Sequence, residues 1–125
     1  HPGEAARLLD TLVEEIQADR LQSARLLQSK YGGVIVLKGC GTVIADETEE
    51  ISICSGGNPG MASGGMGDVL TGIIAGLIAQ GFALGVAARL GVCIHAAAAD
   101  KVALQGERGM LATDLMPWIH QLVNP

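Results

Sequence analysis

A long glycine-rich loop that runs directly into an apolar helix constrains the fold of this chain more than any other feature. The loop reads SGGNPGMASGGMG over residues 55–67, and Asp68 opens the apolar segment VLTGIIAGLIAQ. Glycines let backbone N–H groups face a ligand without side-chain obstruction, and the helix behind them adds the positive end of its dipole. The sequence therefore predicts a site for an anion. The predicted anion hole consists of Gly64, Gly65, Met66 and Gly67.

Asp68 stands at the point where this loop becomes a helix. A carboxylate beside an anion site can take the proton of a hydroxyl group while the glycines hold the phosphoryl group that the hydroxyl attacks. A simpler interpretation makes Asp68 the N-cap of the helix, and the two roles are compatible. The loop lacks the Gly-Lys-Ser/Thr sequence of a P-loop and is too long for a dinucleotide-binding fingerprint. The pattern favours a phosphate site that has its own base.

The rest of the chain predicts helices and short strands of an α/β fold. Of the 125 residues, 49% are hydrophobic and 18 are glycine, a composition typical of helices that pack closely on a sheet. The predicted strands cover residues 34–37, 42–45 and 51–54, and we expect the first of them to be fully buried. The predicted helices are residues 4–10, a segment opened by Thr11 with Glu14 as a capping box, 20–30 after an Asp19 cap, 69–80, 83–105, and a last helix capped by Thr113 or Asp114.

Charge and hydropathy exclude several classes of protein. The net charge is −5 and the eight basic residues are scattered, which argues against nucleic acid as a partner. Gln80 and Arg89 interrupt the apolar stretch, so no run reaches the roughly 18–20 residues of a membrane span. Cys40, Cys54 and Cys93 lack metal-ligand spacing, and no residue is predicted to ligate a metal. We therefore expect reduced thiols in a cytoplasmic protein.

Several polar residues near the end of the chain have structural interpretations. His95 lies among alanines in a predicted helix, and we expect a buried histidine of the core. His120 is expected at the surface, and Asp100 and Lys101 on a solvated face. None of these four is predicted to belong to the site.

Three motifs resemble those of the NAD(P)H-hydrate dehydratase family, the carboxy-terminal domain of bifunctional nicotinamide nucleotide repair enzymes. They are HPGEAARLL, VIVLKGCGTVIA and NPGMASGGMGDVLTGIIAGLIAQG, in the family's order, and Ser63 is a minor departure where Thr is frequent. The resemblance implies a ribokinase-like fold, a three-layer α/β/α arrangement. Because such sheets usually have five or six strands, we expect residues 1–125 to form only the C-terminal half of the domain. The missing N-terminal half is expected upstream of His1.

The same resemblance implies a kinase-like reaction. ADP, or ATP in eukaryotic relatives, would phosphorylate the ring hydroxyl of the S form of NAD(P)H hydrate with Mg²⁺ present. Loss of phosphate would then restore NAD(P)H and leave AMP. The family's residues carry over as follows: catalytic Asp68; substrate-binding His1 and Asp68; nucleotide-binding Lys38, Gly39, Cys40, Gly41, Thr42 and Gly67. The resemblance also suggests a homo-oligomer, with a tetramer as its expected form.

Two other interpretations remain open from the sequence. A small-molecule kinase of the same fold, acting on a hydroxymethylpyrimidine, a thiazole alcohol or a sugar, would share the Gly-x-Gly-Asp loop before a helix. Accumulation of a phosphorylated product would distinguish it from a dehydratase. Alternatively, the chain is an inactive fragment that associates through exposed apolar helix faces. Residues 38–42 also admit a plain interpretation, a hairpin turn between two strands.

Overall fold

The computed structural model describes residues 1 to 124 and divides the chain into two compact units. The first unit is His1–Ser55, and the second begins at Gly56. The first contains three helices and a small sheet: α1 (Pro2–Leu9), α2 (Val13–Ala18), α3 (Arg20–Tyr31), β1 (Ile35–Leu37), β2 (Thr42–Ala45) and β3 (Ile51–Cys54). The second contains α4 (Met66–Ala79), α5 (Leu84–Ala103) and α6 (Met116–Leu122), with short 3₁₀ turns at Pro59–Met61 and Ala112–Leu115.

The helices of the first unit begin at local hydrogen bonds. Asp19 caps α3 as predicted, because its carboxylate accepts from the backbone N–H of Gln22 over 2.9 Å. The capping box predicted at Thr11 and Glu14 is wrong by one residue. Leu12 is the N-cap of α2, and its N–H donates to the Glu15 carboxylate over 3.4 Å. Glu14 and Glu15 are adjacent, so the sequence alone is compatible with either register.

The three strands form one antiparallel sheet in the order β1-β2-β3. Leu37 pairs with Val43 across the first turn, so residues 38–41 are the connection of a hairpin. The prediction of a fully buried first strand is wrong: Leu37 is buried, but Ile35 and Val36 are only half-buried. β1 lies at one edge of this sheet, and an edge strand has a neighbour on one side only.

The core of the first unit joins the helices to one face of the sheet. Ile16 of α2, Leu27 of α3 and Leu37 of β1 are 1–3% exposed. Val43 and Ala45 of β2 belong to the same cluster, while Ile44 between them does not, as the alternation of a strand requires. This packing fixes α3 against the hairpin that carries the predicted nucleotide-binding residues.

The second unit has its own core. Its buried members come from the start of α4, the second half of α5 and the segment before α6: Met66, Ala98, Ala99, Val102, Met110 and Leu115. Within this unit the two long helices approach closely at Gly91 of α5. A Cβ placed there would lie 2.7 Å from Cγ1 of Ile74 on α4, closer than side-chain atoms can pack.

Two boundaries of the second unit differ from prediction. α4 begins at Met66, not after Asp68, because Gly65 adopts a left-handed conformation with φ 86° and serves as the N-cap. Asp68 is therefore the third residue of the helix and not its cap. The last helix begins at Met116, after a 3₁₀ turn in which Asp114 accepts from Leu111 N–H over 2.8 Å. No helix within residues 1–124 is long and apolar enough to cross a membrane.

Candidate functional site

The glycine-rich loop ends on the open N-terminus of α4. The first intrahelical hydrogen bond runs from Val69 N–H to Gly65 O over 3.1 Å. The N–H groups of Met66, Gly67 and Asp68 precede that bond, so the helix itself cannot satisfy them. A Cβ at Gly64 would meet nothing within 4 Å, which leaves open space beside these groups. The geometry matches what an anion hole requires, namely backbone donors, the positive end of a helix dipole, and room.

Asp68 lies in the first turn of α4 with an exposed side chain. Since Gly65 is the cap, the carboxylate of Asp68 is not committed to capping and is accessible to a ligand at the end of the helix. A carboxylate in the first turn is also stabilised by the helix dipole. Asp68 is therefore an exposed carboxylate beside the open end of the helix.

The start of the loop is tied to α5 by Asp100. Its carboxylate accepts from Gly57 N–H over 3.0 Å and from the Asn58 side-chain amide over 2.9 Å. Asn58 Oδ1 in turn accepts from Gly60 N–H over 3.1 Å, which closes the turn at Pro59. Asp100 is exposed, as predicted, but it holds the loop through two hydrogen bonds. Sequence reasoning missed this role, because 43 and 42 residues separate the partners.

The predicted nucleotide-binding residues form the turn between β1 and β2. Lys38 is half-buried, whereas Gly39 and Cys40 are exposed at the tip. Gly41 has φ 74°, a left-handed conformation that favours glycine, and the Thr42 hydroxyl donates to Gly39 O over 3.3 Å. The hairpin interpretation of residues 38–42 is therefore correct. It does not compete with a binding role, since a tight glycine turn presents backbone groups to a ligand.

His1 and the Lys38 turn lie near the same carboxylate. The imidazole Nδ1 of His1 caps α1 by accepting from Gly3 N–H over 3.1 Å. Where His1 is the first residue of the chain, its α-amino group lies 3.1 Å from the carboxylate of Glu4 and lowers the pKa of that carboxyl. The charges of Lys38 and Arg7 lower this pKa further. The first motif and the turn that carries Lys38 are thus close in the first unit, although 34 residues separate Glu4 from Lys38.

Other predicted positions agree with their structural interpretations. His95 is 6% exposed, in the core of the second unit, and His120 is exposed. Two open grooves, of about 720 and 560 Å³, lie one in each unit. Neither is lined by a predicted site residue. In each unit the predicted residues lie instead on an exposed loop: His1 and Lys38 to Thr42 in the first unit, and Gly64 to Asp68 in the second.

Comparison with known proteins identifies the family of this chain. A family model described as NAD(P)H-hydrate dehydratase matches residues 1–121. The chain belongs to the NAD(P)H-hydrate dehydratase family. Among curated members, it is 58% identical to the bifunctional NAD(P)H-hydrate repair enzyme Nnr of Coxiella burnetii over 100% of its own length and 26% of that enzyme's. It is 43% identical to the ADP-dependent (S)-NAD(P)H-hydrate dehydratase of Neisseria meningitidis, covering 99% and 43% of the two chains.

Two solved structures match the fold of this chain. The ADP/ATP-dependent NAD(P)H-hydrate dehydratase of Bacillus subtilis, crystallised with ATP and Mg²⁺, matches with a TM-score of 0.90 and 31% identity. A ribokinase-like superfamily protein of Enterococcus faecalis matches with a TM-score of 0.80 and 33% identity. Each match covers 98% of this chain. It covers 46% of the Bacillus protein and 42% of the Enterococcus protein. The predicted ribokinase-like fold is confirmed, and the chain spans less than half of these structures.

Proposed function

We propose that this chain contributes the phosphoryl-transfer half of the site of an ADP-dependent NAD(P)H-hydrate dehydratase. The observation that carries the proposal is the open N-terminus of α4, with the exposed carboxylate of Asp68 in its first turn. Membership of the dehydratase family supports the substrate class, and the ADP or ATP dependence of the Neisseria and Bacillus relatives supports the nucleotide. Residues 1–125 stand in this proposal as the C-terminal half of a ribokinase-like domain.

The proposed reaction uses the chain's own groups in two steps. The ring hydroxyl of the S form of NAD(P)H hydrate attacks the terminal phosphoryl group of ADP while Asp68 takes the hydroxyl proton. The N–H groups of Gly67 and its neighbours hold the negative phosphoryl oxygens as AMP departs. In the second step the C–O bond breaks, phosphate leaves, and loss of a ring proton restores the double bond of NAD(P)H. Substrate binding would involve His1 in addition to Asp68.

The adenine nucleotide is proposed to bind at the turn Lys38 to Thr42, together with Gly67. The exposed backbone of Gly39 and the half-buried Lys38 offer N–H groups and one positive charge to a nucleotide. One positive charge is sufficient to bind the nucleotide, because backbone N–H groups supply most of the proposed hydrogen bonds to its phosphates. The acidic overall balance of the chain is compatible with that form of binding.

Magnesium fits the donors of the chain as an ion carried by the nucleotide. Within residues 1–124, no three His, Cys, Asp or Glu side chains are grouped to hold a metal. Mg²⁺ needs only one or two protein carboxylates when phosphate oxygens and waters complete its octahedron. When bound, the ion would neutralise the charge that develops on the phosphoryl oxygens.

Recovery of reduced nicotinamide absorbance tests this function. The complete gene product is supplied with hydrated NADH, Mg²⁺ and either ADP or ATP. We expect recovery with wild type and a loss of roughly 10²–10⁴-fold in kcat for Asp68→Asn, the range for removal of a general base. Glu107→Gln, which removes an exposed carboxylate of the same unit, should retain wild-type activity.

Two results would count against the proposal. A phosphorylated product that accumulates without return of absorbance would indicate a small-molecule kinase of the same fold. Equal activities of Asp68→Asn and Glu107→Gln would show that Asp68 takes no part in the reaction.

A further inference from the structure

Arg20, the first residue of α3, reaches the turn between β1 and β2 with both ends of its guanidinium group. Its Nη1 donates to Cys40 O over 2.5 Å, and its Nη2 donates to Leu37 O over 3.1 Å. The two carbonyls flank Gly39 on the two sides of the turn. Two N–H donors of one planar guanidinium group therefore hold the turn at both ends, a geometry that the single ammonium group of lysine cannot reproduce.

These hydrogen bonds also set the direction of two backbone N–H groups. In a trans peptide the N–H points opposite to the carbonyl of the same unit, and no peptide within residues 1–124 is cis. The Cys40 carbonyl faces Arg20, so the Gly41 N–H faces away from it. By the same argument, the Leu37 carbonyl turns the N–H of Lys38 away from the guanidinium group. Arg20 thus controls which way the turn presents its donors.

The contact between Arg20 and the turn is tight. A Cβ at Gly39 would lie 2.7 Å from Nη2 and 3.0 Å from Cζ of Arg20, so the guanidinium group occupies the space of a side chain. The Nε of Arg20 is buried, and it has no hydrogen-bond partner in the part of the chain that the structure describes. A buried unpaired donor costs stability, which indicates that the two carbonyls, and not solvation, determine the position of this side chain.

The backbone from which Arg20 extends is itself fixed. Asp19 caps the helix through Gln22 N–H, and its carbonyl accepts from the Ser23 hydroxyl over 2.8 Å. Ser23 is 6% exposed, so this capping network is part of the core of the unit. The guanidinium group consequently acts from a rigid helix start.

We propose that Arg20 is a positioning residue of the nucleotide-binding turn. It holds residues 38–42 in the conformation that directs the N–H groups of Lys38 and Gly41 toward an adenine nucleotide, and it does not touch the nucleotide. The proposal rests on the proposed function for the identity of the ligand. Its consequence is specific: loss of Arg20 weakens nucleotide binding and leaves the chemical step nearly unchanged.

The chain offers a matched control on the same helix. Arg25 of α3 also donates from Nη2 to a backbone carbonyl, that of Glu49, over 2.6 Å. Glu49 lies in the connection between β2 and β3, where no site residue is predicted. Both arginines therefore tie α3 to a turn of the sheet, and they differ in which turn they tie.

The test compares Arg20→Met and Arg25→Met in the complete gene product. Calorimetric titration with ADP and Mg²⁺ gives the dissociation constant, and steady-state kinetics separates KM for ADP from kcat. Arg20→Met is expected to raise both the dissociation constant and KM by roughly tenfold, with kcat within about twofold of wild type. Arg25→Met should leave all three constants unchanged.

Equal constants for the two variants, or a fall in kcat at unchanged KM for Arg20→Met, would overturn the proposal. If Arg20→Met does not fold, Arg20→Lys keeps the charge on one nitrogen and must show the same split between KM and kcat. The dissociation constant separates this proposal from the function itself. A wild-type protein that binds ADP but lacks dehydratase activity refutes the function and still tests Arg20, whereas one that binds neither ADP nor ATP refutes both.

Discussion

Asp100 shows how a single exposed residue can organise a loop that lies far from it in sequence. Both of its carboxylate oxygens accept hydrogen bonds from the segment that begins the glycine-rich loop. Glycines lose more backbone entropy on folding than other residues, so a loop of this composition needs fixed points. Asp100 provides one at Gly57 and Asn58, and Gly65 provides the other by capping α4.

Replacement of Asp100 by alanine should loosen the loop at its beginning. Removal of the two hydrogen bonds is expected to lower the free energy of unfolding by about 1–2 kcal/mol, because each exposed bond contributes about 0.5–1.5 kcal/mol. Amide hydrogen exchange at Gly57 and Gly60 should accelerate. Lys101→Ala, at the neighbouring exposed position, is the control for loss of a charged side chain from α5. Unchanged exchange at Gly57 in Asp100→Ala would show that the loop is held by other contacts.

Residue type and local spacing in the sequence identified the candidate site residues, but not the residues that hold the site loops in place. Asp68 and Lys38 stand in motifs that can be recognised from neighbours in the sequence. Asp100 and Arg20 act on partners that are 17 to 43 residues away, and nothing local distinguishes them from other exposed charges. Such contacts depend on how helices pack, which a single sequence does not encode in any short pattern.

Among the elements of the second unit, α4 and α5 pack tightly against each other at Gly91. Gly91 of α5 faces Ile73 and Ile74 of α4, and the turn of α5 before it carries Ala87 and Ala88. Without a Cβ at Gly91, the Ile74 side chain can lie directly against the α5 backbone. The gain in dispersion contacts offsets the low helix propensity of glycine in the middle of a long helix.

Two alanine substitutions separate packing from propensity. Gly91→Ala is expected to destabilise the protein by roughly 1–2 kcal/mol, because overpacking outweighs the improved helix propensity. Gly76→Ala, on α4, should be neutral or stabilising by up to about 1 kcal/mol, since a Cβ there meets nothing within 4 Å. Chemical denaturation of both variants provides the comparison. A stabilised Gly91→Ala would mean that Ile74 can move aside at little cost.

The positions of the elements followed from the sequence, whereas their ends and surroundings often did not. Each predicted helix and strand is present, because apolar periodicity and glycine breaks were strong signals. The register of the α2 cap and the starts of α4 and α6 were wrong by one to a few residues. The predicted burial of β1 was wrong, because four apolar residues in a row do not reveal whether a strand has neighbours on both sides.

For the whole molecule, the important fact is that the chain covers 46% and 42% of the Bacillus and Enterococcus structures that it matches. The family and the ribokinase-like fold were predictable because three motifs occur in a fixed order. The site was predictable only in its parts. Each unit presents its candidate residues on a separate loop, and the sequence carries no distances between residues on different loops. Proposals on substrate, nucleotide and homo-oligomer therefore rest on the family.

Exposed apolar side chains around the connection between α4 and α5 lead to a prediction about the 125-residue chain by itself. Ile78, Phe82, Leu84 and Val86 are 40–54% exposed, and Leu90 follows one turn after Val86. Large apolar surfaces of this kind are uncommon on isolated monomers. We expect the chain alone to associate, with a sedimentation coefficient that rises with concentration.

Leu84→Ser should reduce the association because it removes an apolar contact at the centre of this group. Leu104 is 81% exposed at the other end of α5, and Leu104→Ser should leave the association unchanged. A concentration-independent monomer with a cooperative melt would show that these side chains are tolerated in water, and the association would have to be abandoned.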